Sequence, residues 1–548
     1  MADPHLRELA FPTLDAGQVA QVGRCSGASL ERYPAGQALF QVGDRDFKFF
    51  VIESGEVEVI DPSGDTPKTL VVHGPGQFTG DVAHLTGSRS IVTAVARVDS
   101  QVYAISPAGL QELLNGCPDL GDRILQAFIA RRQLLRESGD FTGVRVIGSR
   151  YSRDTLRIRD FLTRNLVPFR WLDLETEQDV DTLLGRFGVS HSETPVVAWR
   201  ELLLRNPSNR ELAEALGIRR PLGRTVYDLA VVGCGPAGLA AAVYGASEGL
   251  STLVLERTAP GGQASGTMRI ENYLGFPTAV SGRELAERAV LQATKFGASL
   301  SVASPVTGLT FENGYSLLRL ESGETTAAKC VLIATGADYR RLIAEGCEPF
   351  EGSGVYYAAT INEAQVCEGG DVVIVGGGNA AGQAAVFLAG RARKVFLLIR
   401  GDSIYENMSA YLARRIERTP NFEVLTHTTV VRLNGDRHLS AVTIVDGRTG
   451  EMRTLNTMSF FSFIGAVPRT DWLPPEIERD DHRFVRTGPA IARSAGWTAG
   501  REPFLLETSR HGVFAAGDVR AGSVKRFASA VGEGAMAVQF VHEYLKTK

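Results

Sequence analysis

Gly233-Cys234-Gly235-Pro236-Ala237-Gly238 follows the apolar run Tyr227 to Val232 and opens an alanine-rich stretch, Leu239 to Ala246. The run reads as a strand and the stretch as a helix. Each glycine has a task between them. Gly233 permits the tight turn, Gly235 lets backbone approach a pyrophosphate, and Gly238 lets the helix lie close to the strand, with helix N-terminal amides facing the phosphates. Glu256 ends the next apolar run, Ser251 to Leu255, where a carboxylate accepts ribose hydroxyls. Strand, glycine set, helix and acid in register predict a dinucleotide-binding unit.

The same order recurs later in the chain. Asp371 to Val375 reads as a strand, Gly376-Gly377-Gly378-Asn379-Ala380-Ala381 as the glycine turn, and Gly382 to Ala389 as the helix. The spaced small residues here are Gly376, Gly378 and Ala381. The following strand, Lys394 to Ile399, ends in Arg400 rather than an acid. An acid there takes the ribose hydroxyls of NAD, whereas a guanidinium pairs with the extra phosphate of NADP. Arg400 therefore favours NADP and leaves NAD open. Two fingerprints in one chain predict two nucleotide cofactors with electron transfer between them.

Composition narrows the remaining classes. At 548 residues the chain is too long for one core, and about three or four units are expected. Lys plus Arg total 58 against 62 Asp plus Glu, so no global positive field holds nucleic acid or an anionic membrane. No apolar run reaches the roughly 18 residues needed to span a bilayer, and charges in Met1 to Ala20 stand where a signal peptide needs an apolar stretch. A cytoplasmic protein is expected. Cys25, Cys117, Cys234, Cys330, Cys347 and Cys367 form no CxxC and no metal-type spacing, which predicts buried thiols rather than a disulfide scaffold or a zinc site.

Further signatures complete the second half: Gly261-Gly262-Gln263, Glu271-Asn272-Tyr273-Leu274-Gly275-Phe276-Pro277, Ala334-Thr335-Gly336, and the strand Gly512-Val513-Phe514-Ala515-Ala516-Gly517-Asp518 before a helix from Ala528 to Tyr544. With them the block from about Tyr227 to Lys548 resembles the thioredoxin reductase family of flavoproteins. The resemblance implies FAD held by Gly233, Gly235, Pro236, Ala237, Gly238, Glu256, Arg257, Gly262, Gln263, Asn272, Thr335, Gly336, Gly517 and Asp518. Arg526, Phe527 and Ala528 match a flavin-side arginine-glutamine-alanine stretch, with Phe527 a departure. It implies NADP or NAD on Gly376, Gly378, Asn379, Ala380, Ala381 and Arg400, although Gly401 and Tyr405 occupy places where the family carries further arginines. A homodimer is also implied.

One departure changes the expected chemistry. The family places a Cys-Ala-Thr-Cys motif ahead of the second fingerprint, and alignment on Gly354-Val355 puts Ala358 and Ile361 on its two cysteine positions. Neither side chain can form a thiolate, so neither takes electrons from flavin by thiol–disulfide exchange. Relatives without the dithiol pass electrons to other acceptors, such as ferredoxin or a low-molecular-weight disulfide. The expected function is NAD(P)H oxidation through FAD toward a non-dithiol acceptor, which includes small redox proteins. The alternatives are disulfide reduction through Cys367 or an external thiol, and a redox or nucleotide sensor without turnover.

Two modules precede this block. Short β-rich runs (Lys48 to Glu53, Gly55 to Ile60, Thr69 to His73, Ser90 to Ala96, Gln101 to Ile105) predict a small barrel or jelly roll. Helical patterns follow at Pro107 to Asn115 and Leu120 to Leu135. Gly55-Glu56-Val57, Gly74-Pro75-Gly76, and Phe78-Thr79-Gly80-Asp81 with Ser88-Arg89-Ser90 make this stretch similar to a cyclic-nucleotide-binding domain. That resemblance implies a cyclic nucleotide as effector, held by Gly80, Asp81, Arg89 and Ser90, with Asp81 where the family has glutamate. After a polar linker, Glu137 to Gly143, the pattern becomes a small α/β unit. Val144 to Ile147, a helix from Ser152 to Asn165, Arg170 to Asp173, Val196 to Trp199 and the Thr194-Pro195 dipeptide resemble a glutaredoxin or thioredoxin fold. Ser152 stands as an N-cap where that fold carries its cysteines. The expected fold is thus multidomain: a jelly roll over 1–140, a thioredoxin-like α/β unit over 144–220, an FAD-binding α/β domain over 224–351 and 475–548, and an NAD(P)-binding domain over 352–474.

Overall fold

Strand Val57–Asp61 alternates between buried and half-buried residues, the mark of a strand with one face on a core. It pairs antiparallel with Lys68–His73 and Thr93–Ala96, and Ala38–Phe40 completes that sheet. A second antiparallel sheet sets Ser100–Ile105 between Ser29–Tyr33 and Phe49–Ser54. The computed structural model describes residues 4–25, 27–62, 67–137, 143–176, 179–199, 202–223, 226–436, 438–492, 497 and 500–548. The expected linker from Glu137 to Gly143 and the Arg224-Thr225 lead into the third block lie largely outside them. Helices Pro107–Gly116 and Pro118–Glu137 close the jelly roll, joined by Pro4–Ala10 and Ala16–Cys25. Those two N-terminal helices and the strand Ser29–Tyr33 escaped the sequence pattern. Ser29–Tyr33 has no buried residue, and long-range pairing to Ser100–Ile105 makes it a strand.

The second sheet system runs Leu202–Arg205, Val196–Trp199, Val144–Ile147, Arg170–Leu172, with helices Arg153–Arg164, Val180–Arg186 and Asn209–Ala215 around it. The Ser152 hydroxyl accepts the Thr155 N–H at 3.3 Å and caps the first of these helices.

The third system holds two copies of one architecture. In the first, parallel strands lie in the order Ser299–Ser301, Thr252–Leu255, Val226–Val232, Thr325–Ile333. Val513–Ala515 pairs parallel with the far end of Thr325–Ile333, whose near end continues an antiparallel meander with Tyr315–Leu320 and Val306–Glu312. In the second, Phe422–Leu425, Lys394–Leu398, Asp371–Val375, Ser459–Ser462 and Val355–Tyr356 repeat that parallel order, and Thr428–Gly435, Leu439–Asp446 and Met452–Asn456 form the matching meander. The chain crosses between the copies through Ala337–Tyr339 and Ala466–Pro468, which pair antiparallel. Central strands buried on both faces explain the continuous apolar runs that made this half legible.

The units pack directly on one another. Leu291, on helix Gly282–Lys295 of the first dinucleotide half, belongs to the buried core of the jelly roll. Gln111 and Asn115 donate to the carbonyls of Thr294 and Lys295 at the end of that helix.

Candidate functional site

Strand Val226–Val232 runs into Gly233 at φ 105°, and helix Pro236–Ser247 starts with Gly235 as an N-cap that has no side-chain cap. A Cβ on Gly233 would collide with the Ala334 carbonyl, and one on Gly238 with the carbonyl of Gly233. Gly235 instead faces only the Cα of Gly262, at 3.9 Å from where its Cβ would stand. The loop is crowded inward and open outward, which suits close approach of an anion to unpaired helix amides. The buried Glu256 carboxylate accepts the N–H groups of Cys234 and Thr258, each at 2.8 Å, and so stands against the same loop.

The other expected flavin-side residues gather from distant segments. The Gln263 amide donates to the Ala337 carbonyl, and the Thr335 hydroxyl donates to the Arg469 carbonyl at 2.9 Å, beside Gly336 at φ 65°. Arg257 lies 3.9 Å from Asp338. Gly517 donates its N–H to buried Glu533 at 2.7 Å, and Arg520 pairs with the same carboxylate, so the Gly517–Val519 turn carrying Asp518 is held from two sides. Burial raises the Asp518 pKa. Arg526 is the N-cap of helix Phe527–Leu545, which includes Ala528, and Phe527 packs edge-on against Tyr273 with ring centroids 4.8 Å apart. Asn272, next to Tyr273, is exposed.

The second fingerprint repeats the geometry. Gly376 sits at φ 144°, Gly378 is the uncapped N-cap of helix Asn379–Ala389, and a Cβ on Gly378 would meet nothing within 4 Å. Ala381 is buried beneath the turn, and Asn379 is tied to the N–H of Ser409 at 2.7 Å. Beyond the end of strand Lys394–Leu398, Arg400 shares a cavity of about 440 Å³ with Gly377, Ser403 and Glu406. A guanidinium suits a phosphate and a carboxylate suits hydroxyls; Glu406 already accepts the N–H groups of Asp402 and Ser403 at 2.8 and 3.1 Å.

Between the two halves lies a cavity of about 830 Å³. Its walls come from the first dinucleotide half (Gln263, Thr267), from the second (Ala380, Gln383) and from Ala358 and Ala359. Thr360, from the same segment, lines it with its methyl against Gly266, and Ile361 begins helix Ile361–Val366. The fourth wall is helix Arg153–Arg164 of the second unit, through Arg153, Leu156, Asp160 and Arg164. That helix holds both halves. Arg164 donates to the Gly262 carbonyl at 3.0 Å and Asn165 to the Thr258 carbonyl at 3.1 Å, while Arg159, stacked over Trp171 at 3.5 Å, donates to Gln365 at 2.6 Å and Asn362 at 3.3 Å.

Sequence reasoning missed Glu363, which lines this cavity. Its carboxylate accepts the N–H of Thr360 at 2.7 Å and the Thr360 hydroxyl, a capping box that Thr360-Ile361-Asn362-Glu363 spells out. Burial, reinforced by Asp160 across the interface, pushes its pKa up to about 7. Asp160 is itself raised by burial.

Cys367 has the wrong setting for a redox thiol. It is buried, its Sγ donates to the Glu363 carbonyl at 3.1 Å, and burial pushes its pKa up to about 12. Cys367→Ser is expected to leave NAD(P)H oxidation within about twofold of the parent with any acceptor, disulfides included, when steady-state rates are compared. The other cysteines whose side chains are described (Cys117, Cys234, Cys330, Cys347) are buried as well, and among the described residues no cluster could hold a metal ion and no helix is long and apolar enough to cross a membrane.

The jelly roll encloses a cavity of about 630 Å³. Gly80, Asp81 and Ser90 line it, but Arg89 does not. The Arg89 side chain instead packs on Gly217 at the end of the second unit, where a Cβ would collide with it. The neighbouring Gly87 is covered by the Arg220 guanidinium, which donates to the Leu85 carbonyl at 3.0 Å. Of the four residues expected to hold a cyclic nucleotide, Arg89 is the one whose side chain runs against Gly217 rather than along this cavity.

Comparisons with known proteins agree with this geometry. Residues 30–117 match the cyclic nucleotide-binding domain, and residues 227–534 match the family described as pyridine nucleotide-disulphide oxidoreductase. Thioredoxin reductase of Treponema pallidum is 35% identical over 328 residues, covering 59% of this chain and 98% of its own length. The Bacillus subtilis thioredoxin reductase is 32% identical over 322 residues, covering 59% of this chain and 95% of its own. The solved thioredoxin reductase of Lactococcus lactis superposes with a TM-score of 0.53 at 26% identity, over 59% of this chain and 100% of that one. With two dinucleotide folds joined by a paired crossing, an FAD-type fingerprint and a nicotinamide-type fingerprint, the chain belongs to the pyridine nucleotide-disulphide oxidoreductase family, as an FAD-dependent pyridine nucleotide oxidoreductase.

Proposed function

We propose that this chain oxidises NADPH or NADH through FAD and delivers the electrons to a low-molecular-weight acceptor, or to the redox group of a small protein, without an internal dithiol. One observation carries the reading: Ala358 and Ile361 bracket the segment that packs against Gly266, where no thiolate can form. The flavin supplies hydride chemistry when bound, and the protein's part is positioning and exclusion of water. Gly233, Gly235, Gly238, Glu256, Gln263, Asn272 and Asp518 are the residues proposed to hold FAD; Gly376, Gly378, Ala381 and Arg400 are those proposed for the nicotinamide dinucleotide. The 830 Å³ cavity supports a small acceptor, because helix Arg153–Arg164 already covers one side of it. The second unit reads as a thioredoxin-like module without its dithiol, used for docking, and the first as an effector-binding module for which a cyclic nucleotide is the family's ligand. A cytoplasmic homodimer completes the proposal.

Anaerobic titration tests it. Purified protein should be yellow, and its flavin should be bleached by NADPH or NADH and reoxidised in a screen of ferredoxin, low-molecular-weight disulfides and quinones, with and without cyclic nucleotides. Colourless protein, or flavin that neither nucleotide reduces, would overturn the proposal.

A further inference from the structure

Helix Pro118–Glu137 places two adjacent arginines inside the first unit. Arg131 and Arg132 are both buried. Arg132 lies 3.5 Å from Asp81, and Asp81 is also the carboxylate that acts on Arg131. Among the described residues, one carboxylate between two guanidinium groups leaves a buried positive charge unbalanced. Arg131 is held by the carbonyls of Ala10, Gly80 and Phe78 at 2.7, 2.7 and 2.9 Å, which fix its plane but carry no net charge to offset it. Burial and the neighbouring Asp81 leave its pKa at about 9.

The rest of the cavity agrees. Arg7 also lines it, adding positive charge. His73 and His84 add none: burial lowers both, His73 to about 3 with Arg131 contributing. The buried Nδ1 of His73 has no hydrogen-bond partner, although His73 lines a cavity of about 630 Å³. A buried polar atom without a partner costs on the order of 1–3 kcal/mol, which a ligand atom would recover. Between these groups the lining is apolar, with Phe11, Phe40, Phe47 and Val92 among it. The volume falls within the usual range for small-molecule sites.

We infer that this cavity takes a small organic acid with an apolar body, its carboxylate beside Arg131 and His73, and that Arg89 has no part in holding it. The inference deepens the reading of the first unit as an effector module by naming the effector's chemistry. A cyclic nucleotide is the competing occupant: it too is an anion, but its ribose and phosphate belong on the Asp81–Arg89 side, where Asp81 is engaged by Arg132 and the Ala83 N–H and the Arg89 side chain runs against Gly217, outside the lining of the cavity.

Calorimetry on the full-length flavoprotein, without nicotinamide nucleotide, separates the two. Decanoate and 1-naphthoate are the probes, with decan-1-ol, cyclic AMP and cyclic GMP as comparators. The acids are expected to bind at one site per chain, the alcohol at least about tenfold more weakly for want of the charge. Val92→Trp, which fills the cavity, should abolish acid binding, and Arg89→Ala should leave it unchanged. Arg131→Met should erase the preference of acid over alcohol; should that variant not fold, the acid-to-alcohol ratio in the parent and Val92→Trp carry the test. Absence of acid binding, acid binding that survives Val92→Trp, or stoichiometric cyclic nucleotide binding that needs Arg89 and excludes the acids would each overturn the inference. Flavin reduction by NADPH is then timed with and without decanoate. An unchanged rate beside proven binding would overturn the effector role while the site stands, and neither readout depends on which acceptor the enzyme serves.

Discussion

Gly238→Ala is expected to yield protein largely without FAD. The added methyl would occupy the space of the Gly233 carbonyl oxygen, which is backbone and cannot rotate away. Helix Pro236–Ser247 must therefore back off from strand Val226–Val232, taking with it the uncapped amides at Gly235. Overpacking of this kind costs about 1–3 kcal/mol, and losing the aligned amides lowers FAD affinity further. A fall of roughly 100-fold in FAD affinity corresponds to about 2.7 kcal/mol. The ratio of flavin to protein absorbance after purification reads the effect, and a ratio equal to the parent's would contradict the close approach of helix and strand.

The second large effect concerns pH. Glu363 is fully buried and its pKa is raised from 4.5 to about 7, so the folded protein keeps it protonated over a range where the unfolded chain has released the proton. The unfolded state then binds fewer protons, and stability falls as pH rises from about 4.5 to about 7. Below that window the burial costs nothing in charge, and above it the whole penalty is present. A shift of that size, at about 1.4 kcal/mol for each pH unit, is worth on the order of 3 kcal/mol. Asp160 and Arg159 from the facing helix, Tyr356 from the adjacent strand and Cys367 at the end of its own helix are titratable groups around it. Glu363→Gln keeps an acceptor for the Thr360 N–H and removes the titration. The variant should unfold at higher urea than the parent at about pH 8, with little or no advantage at about pH 4.5. Parallel pH profiles for the two proteins would exclude Glu363 as the source.

Local chemistry explains what the sequence disclosed. The two fingerprints are read within short windows, because turn, helix start and ribose acid are all set by neighbours in the chain, as at Gly233 to Glu256. Ala358 and Ile361 were equally plain to read, since an absent thiol at a given position needs no partner to be identified. The direction of the Arg89 side chain was hidden for the opposite reason. Its spacing after Gly80-Asp81 matched a phosphate-binding pattern, yet the side chain lies against Gly217, at the end of the second unit and far away in the chain. Arg131 and Arg132 lie unremarked within the helical pattern Leu120 to Leu135, and the folded jelly roll reveals one aspartate serving both. Glu363 carried a readable signal, its capping box, but the cap says nothing of Asp160 arriving from another unit.

The antiparallel crossing at Ala337–Tyr339 and Ala466–Pro468 is a hinge in mechanical terms, and helix Arg153–Arg164 is a bar bolted on both sides of it. Turning one half against the other requires shedding one set of bolts, either Arg164 to Gly262 with Asn165 to Thr258, or Arg159 to Asn362 and Gln365. At about 1 kcal/mol for each hydrogen bond, either release costs on the order of 2 kcal/mol. Turned arrangements would then be populated roughly 30-fold less than on a bare hinge. A module that holds no thiols is thus still part of the enzyme's framework, as a restraint on turning rather than as a carrier of electrons.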